Sequence, residues 1–166
     1  MIDEAFEQVD LEWKLTERPT ADIEAEIEDW DENPPTREFN IAALGRGKRE
    51  VVRLCLTERP KYPQGLYVDS WSWYGNHYQN PTKMRRNDLK NLLVKVIECL
   101  GRVDGEKLYT HAQNPAVENF LNQIGAEKDE SKPFVGRRIL NTSSRVKDIP
   151  LRIANREQLQ AALDTL

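Results

Sequence analysis

Residues 114–126 read NPAVENFLNQIGA, and KLYTHAQ at 107–113 leads into them. Asn114 is a good N-cap. Pro115 suits the first helical position, where its missing N–H is not needed, and Gly125 is placed to end the helix. Val117, Phe120, Leu121 and Ile124 recur three and four residues apart, so one helix face is apolar. KLYTHAQ has strand character. The stretch predicts a strand, a short helix and a further extended segment, with an asparagine where the strand ends.

Upstream, Leu89, Leu92, Leu93, Val96, Ile97 and Leu100 form the apolar stripe of a longer helix, with Asn87 or Asp88 as its cap and Gly101 as its end. Before it, the segment Gly75–Asn87 has turn composition. Val9, Leu11, Trp13 and Leu15 alternate as a first strand. Thr20 is placed to cap a helix in which Ile23, Ile27 and Trp30 share a face, and Asn33-Pro34-Pro35 ends it. Strands Arg37–Leu44 and Glu50–Thr57 flank the turn GRGKR and predict an antiparallel hairpin, followed by an aromatic strand Leu66–Tyr74. Downstream, Phe134–Leu140 and Ile149–Ile153 have extended character. Asn155 and Gln158 predict a capping box at the start of a last helix.

The order is β-α-β-β-β-α-β-α-β followed by an extension. A strand–helix–strand unit after an antiparallel meander implies an α/β fold, a mixed central sheet flanked by helices. With 166 residues and 39% hydrophobic content, the chain supports one domain with a real core. We expect residues 1–140 to form it and residues 141–166 to pack on it as a C-terminal extension.

Charged residues make up 31% of the chain, yet the net charge is −4. That balance argues against nonspecific binding to nucleic acid or anionic membrane. Cys55 and Cys99 read as buried free thiols, which fits a reducing, cytoplasmic setting. His77 and His111 have no zinc-site spacing, so no metal is expected. No apolar run approaches membrane-spanning length.

The segment Asn114–Ala126 resembles the late motif of the GNAT N-acetyltransferase superfamily, Asn-x-x-small-x-x-Phe-(Tyr)-x-(Lys)-x-Gly-Phe. Asn114, Val117, Phe120, Gln123, Gly125 and Ala126 occupy its places. The element order over residues 8–140 is also that family's. The resemblance implies a GNAT-like fold, an acyl-CoA cofactor such as acetyl-CoA, and transfer of the acyl group to an amine-bearing substrate, protein or small molecule. It identifies the chain as a divergent member, and compact divergent members also occur in phages.

The resemblance implies site residues too. Family members cradle the cofactor's pyrophosphate on a Gln/Arg-x-x-Gly-x-Gly/Ala loop before the long helix, where free N–H groups attract anions. The matching place here is KMRRNDLKNLL, so Arg85, Arg86, Asn87, Asp88 and Lys90, with Lys83, are the expected pyrophosphate site. Asn87 and Leu89 stand where small residues are usual. Asparagine tolerates left-handed backbone, whereas a leucine crowds an approaching phosphate. Trp71, Ser72 and Trp73 are expected beside the pantetheine arm, and Asn114 at the cofactor.

Asp69 is the expected catalytic base, because that strand carries a carboxylate in several members. Its plain structural reading is a solvent-facing or arginine-paired side chain. Many members place a proton-donating tyrosine at the position of Leu121, which moves no proton. Tyr74 and Tyr109 are the nearby phenols, and His111 reads as either a core histidine or a proton carrier. Alternation sets Tyr67, Asp69, Trp71 and Trp73 on one strand face and Leu66, Val68 and Tyr74 on the other. A contrasting reading is a catalytically degenerate scaffold that binds a protein partner or inhibits an enzyme, using the aromatic strand, the acidic helix 21–31 and the C-terminal segment.

Overall fold

The alternating segments on either side of GRGKR form β2 (Arg37–Leu44) and β3 (Glu50–Glu58), an antiparallel hairpin closed through a 3-10 turn at Arg46–Lys48. The computed structural model describes residues 11–28, 32–73, 86–112, 115–135 and 148–166. Around the hairpin lie β1 (Glu12–Glu17), α1 (Thr20–Glu26), β4 (Gly65–Trp73), α2 (Arg86–Arg102), β5 (Lys107–Thr110), α3 (Pro115–Gln123), β6 (Glu127–Val135), β7 (Asp148–Asn155) and α4 (Arg156–Asp164). The strands make one sheet in the order β1-β2-β3-β4-β5-β7-β6. Among the described residues β4 and β5 are the parallel pair, and every other neighbouring pair is antiparallel. Parallel strands need a long crossover, and α2 supplies it. The α/β architecture with a mixed sheet is the one the sequence predicts.

One sheet face is built by alternation. Phe39 and Ile41 of β2 stand opposite Leu56 and Leu54 of β3, and all four are buried. The α2 stripe Leu92, Leu93, Val96, Cys99 and Leu100 packs onto them, joined by Leu66, Leu108, Ala154 and Leu159. Burying each such leucine, isoleucine or phenylalanine contributes about 1.5–3 kcal/mol. Among the described residues, no helix is long and apolar enough to cross a membrane.

Several boundaries differ from the sequence expectation, each for a local reason. Thr20 is the first helical residue, not the cap, and α1 ends before Ile27, which is extended. Val9 and Trp30 lie outside the described residues. Asn87 and Asp88 belong to α2 itself, and Gly101 is still helical. The stop comes later, where Gly105 N–H bonds to Leu100 O, Asp104 N–H bonds to Gly101 O, and Asp104 adopts the left-handed φ of 54°. Gly125 does end α3 as expected, with φ 77°.

Residues 127–133 form most of β6, although their sequence is polar; the strand lies at the sheet edge, where charge and proline are tolerated. Of the segment Phe134–Leu140, residues 136–140 lie outside the described residues. The C-terminal segment supplies β7, inserted between β5 and β6, and α4, which packs on α2. The predicted capping box is present. Gln158 N–H donates to Asn155 Oδ1 (2.8 Å), and Asn155 N–H to Gln158 Oε1 (2.9 Å).

Candidate active site

The parallel ladder between β4 and β5 is short. It pairs Gly65 with Lys107, Leu66 with Leu108 and Tyr67 with Tyr109, then stops. β4 runs on to Trp73 beside β3, whereas β5 ends at Thr110. Among the described residues the two strands share no ladder from Val68 onward, and we call this loss of pairing the split. Gly65 sits at the closed end. A Cβ on it would lie 1.8 Å from Lys107 O, so only glycine lets the strands meet.

On its other edge, β4 carries a bulge. Leu56 pairs with Val68 and Cys55 with Ser70, leaving Asp69 as the extra residue. The bulge resets the alternation. Trp71 therefore stands opposite Leu54 and packs against the helix-covered core, on the face of Leu66 and Val68. This corrects the face assigned by simple alternation. Ser72 faces Arg53 in register.

Asp69 lies at the split and is engaged. Its Oδ2 accepts a hydrogen bond from Arg59 Nη2 at 3.0 Å. Arg59 also donates to Thr57 Oγ1 and Asn33 O. Both partners are mostly shielded from water, so this pair is more than a loose surface contact.

The sequence did not signal the cluster beside it. Tyr67 Oη and His111 Nδ1 lie 2.8 Å apart in a hydrogen bond. Tyr62 stacks on Tyr67 at 4.4 Å, and Tyr62 and Tyr109 lie 5.3 Å apart. Tyr109 Oη donates to Pro63 O at 2.8 Å. Burial raises all three phenols above the usual tyrosine range, and the negative charge of Asp69 adds to it for Tyr67 and Tyr62. These hydroxyls stay neutral at ordinary pH. Burial, with Glu38 and Asp69 nearby, pushes the Cys55 thiol up to about 12, so it supplies no thiolate.

At the start of α2, Arg86, Asn87 and Lys90 are exposed, and Asp88 is buried to 1% exposure. Asp88 places negative charge at the positive end of the helix. Asn87 is helical, so it does not supply the left-handed turn suggested by its position. Arg86 Nη2 donates to Thr165 O at 3.1 Å, near the end of α4. Leu89 turns towards Phe120, Ile124, Ala162 and Leu166, lining a cleft of about 530 Å³ on the helix side. Lys83, Arg85, Tyr74, His77 and Asn114 lie outside the described residues, as does the side chain of Trp73.

Beyond Asn114, α3 presents Leu121 to the interior, at 3% exposure, so no proton donor replaces the missing tyrosine there. Glu118 in its first turn forms an ion pair with Arg152 of β7, which is itself buried. Arg152 also donates to Ala126 O at 3.1 Å. Among the described residues, no cluster of His, Cys, Asp and Glu is arranged to hold a metal ion.

Solved structures of spermidine N-acetyltransferases share this fold. Spermidine/spermine N-acetyltransferase SpeG from Vibrio cholerae, in complex with manganese ions, matches with a TM-score of 0.53 at 12% identity, over 90% of this chain and 95% of that one. Spermidine N-acetyltransferase from Vibrio cholerae in complex with CoA and spermine matches with a TM-score of 0.50 at 12% identity, over 74% and 68%. A GNAT-family acetyltransferase from Staphylococcus aureus Mu50 gives 0.47 at 16% identity, over 72% and 68%. No family profile and no curated protein matches the chain. At these identities the likeness to the two Vibrio cholerae enzymes establishes the fold alone.

Proposed function

We propose that the chain is an acyl-CoA-dependent N-acyltransferase that moves an acetyl group from acetyl-CoA to an amine. The observation that carries this reading is the split between β4 and β5 after Tyr67 and Tyr109. An extended ligand with amide groups fits there as a short strand, because the β4 backbone beyond Tyr67 no longer bonds to β5. Acetyl-CoA supplies the activated thioester carbonyl. In this reading the chain supplies position: Trp71, Ser72 and Trp73 for the arm, Asn114 as the cofactor contact that the family motif implies, and Arg86, Asn87 and Lys90 with Lys83 and Arg85 for the pyrophosphate. Asp88 opposes that anion and makes the pyrophosphate site less favourable than a glycine-rich loop. A fold neighbour solved with CoA and spermine supports an amine as the acceptor.

Calorimetric titration of acetyl-CoA tests the reading. Saturable one-to-one binding, weakened by Asn114→Ala, is the expected result. No saturable binding at millimolar cofactor overturns it. The engagement of Asp69 by Arg59 and the burial of Leu121 favour a second reading, a degenerate scaffold that acts on a protein partner. Capture of a stoichiometric partner, unaffected by Asn114→Ala, would select that one.

A further inference from the structure

We infer that His111, held in place by Tyr67, is the group that takes the proton from the incoming amine. The inference rests on the acyl-transfer reading above. Where β5 ends and the split opens, the chain turns His111 back onto Tyr67 of the facing strand. His111 is half-buried, so it meets both protein and solvent. It stands three positions before Asn114 in sequence, on the strand end that leads to the expected cofactor site.

The other titratable groups on this face suit the role less well. Asp69 is already engaged by the Arg59 guanidinium through Oδ2. Tyr62, Tyr67 and Tyr109 are held neutral by burial, and Cys55 keeps its proton. Leu121 has none to exchange. An imidazole ordinarily titrates near neutral pH and both accepts and returns a proton there. Tyr67 is the positioning residue: its ring meets the His111 ring edge-on at 5.6 Å, and Tyr62 stacks on its other side.

The step balances. The amine nitrogen forms the C–N bond to the thioester carbonyl carbon as its proton passes to His111. The C–S bond breaks, and the imidazolium returns the proton to the departing sulfur, leaving amide and free thiol.

The test combines cofactor binding, turnover and an imidazole titration on the full chain. Thiol release from acetyl-CoA is followed with spermine or a lysine-containing peptide as acceptor. His111→Ala is expected to lower kcat by about 100-fold, the low end for a general base. Its Kd for acetyl-CoA stays within about twofold, and added imidazole restores part of the rate. Tyr67→Phe is expected to move the acidic limb of the kcat profile. In the cofactor-free protein, it also moves the NMR titration midpoint of His111. Asp69 and Arg59 act electrostatically on Tyr67, so the titration is repeated at high salt.

Wild-type turnover retained in both His111→Ala and His111→Gln, with an unmoved profile in Tyr67→Phe, overturns the inference and leaves the acyl-transfer reading standing. Absence of acetyl-CoA binding in the wild type overturns both.

Discussion

Arg152 of β7 and Glu118 of α3 form an ion pair that fastens the helix following Asn114 to the sheet. Arg152 is 4% exposed by side chain and Glu118 34%, so the two partners are unequally desolvated. Removing the carboxylate leaves a buried guanidinium with backbone carbonyls as partners and no counter-charge, whereas removing the guanidinium leaves a carboxylate that reaches water. Glu118→Ala is therefore expected to cost about 3 kcal/mol, at the lower end for breaking a buried pair, and Arg152→Met distinctly less. Urea unfolding midpoints of the two variants check the order. Equal losses would show that the packing of Arg152, and not its charge, carries the effect.

The end of α2 offers a stabilising change. Asp104 occupies the left-handed position that glycine fills best, and Gly125 fills the matching position after α3. Asp104→Gly is expected to gain roughly 0.5–1 kcal/mol, and Gly125→Ala to lose about 1 kcal/mol. The nearest atom to a Cβ at Gly125 is Gln158 Nε2 at 3.5 Å, so the loss comes from backbone conformation, not collision. Calorimetric melting of both variants gives the sign directly.

What was legible in the sequence was local. The hairpin around GRGKR, the Asn155–Gln158 capping box and the glycine stop at Gly125 depend on neighbouring residues alone, and the structure has all three. Strand β6 was legible only in part: an extended segment was expected there with its strand at Phe134–Leu140, but EKDESKP lies on an edge and has no alternation to display. The face of Trp71 depends on a bulge at Asp69, which is set by pairing with β3, not by β4 itself. In the same way Tyr67 and His111 are 44 residues apart in sequence, and only the parallel pairing of β4 with β5 brings them together. Arg152 alternates as an inward residue, but its burial makes sense only with Glu118 opposite.

Alkaline pH should weaken the fold. Burial pushes the thiols of Cys55 and Cys99 up to about 12, against an ordinary value of 9.0, and Tyr67 is also raised. Between pH 9 and about 12 the unfolded chain loses these protons while the folded chain keeps them. The folded state then binds more protons, and stability falls as pH rises. Below pH 9 the contribution is complete. Urea melts at pH 8 and pH 10.5 should show the drop, and Cys55→Ser with Cys99→Ala should flatten it. Iodoacetamide at pH 8 should label neither thiol until the protein is unfolded.

The basic start of α2 should show its role through salt. Arg86 and Lys90 are exposed charges on a helix whose first turn also holds Asp88. Lys90→Gln is expected to weaken acetyl-CoA binding by about threefold to tenfold at low ionic strength, and hardly at all in high salt, where exposed charges are screened. Arg86→Gln should do the same and also release Thr165 O, slightly loosening the end of α4. Titrations at two ionic strengths separate the two contributions. A loss independent of salt would place the cofactor's anionic part elsewhere.

Gly65 joins fold and function most directly. Its missing side chain lets Lys107 O approach to where a Cβ would stand, and this contact closes the split at one end. Gly65→Ala must therefore push β5 away from β4, breaking the three-pair ladder that Tyr67 and Tyr109 terminate. We expect a loss of about 1–3 kcal/mol or more, in the range of overpacked cores, together with loss of the Tyr67–His111 hydrogen bond. At a temperature where the variant is still folded, acetyl-CoA binding should fall by more than tenfold, because the split no longer has a fixed floor. Circular dichroism confirms folding and calorimetry measures the binding. Near-normal affinity in a folded Gly65→Ala protein would mean that the cofactor does not depend on this end of the split.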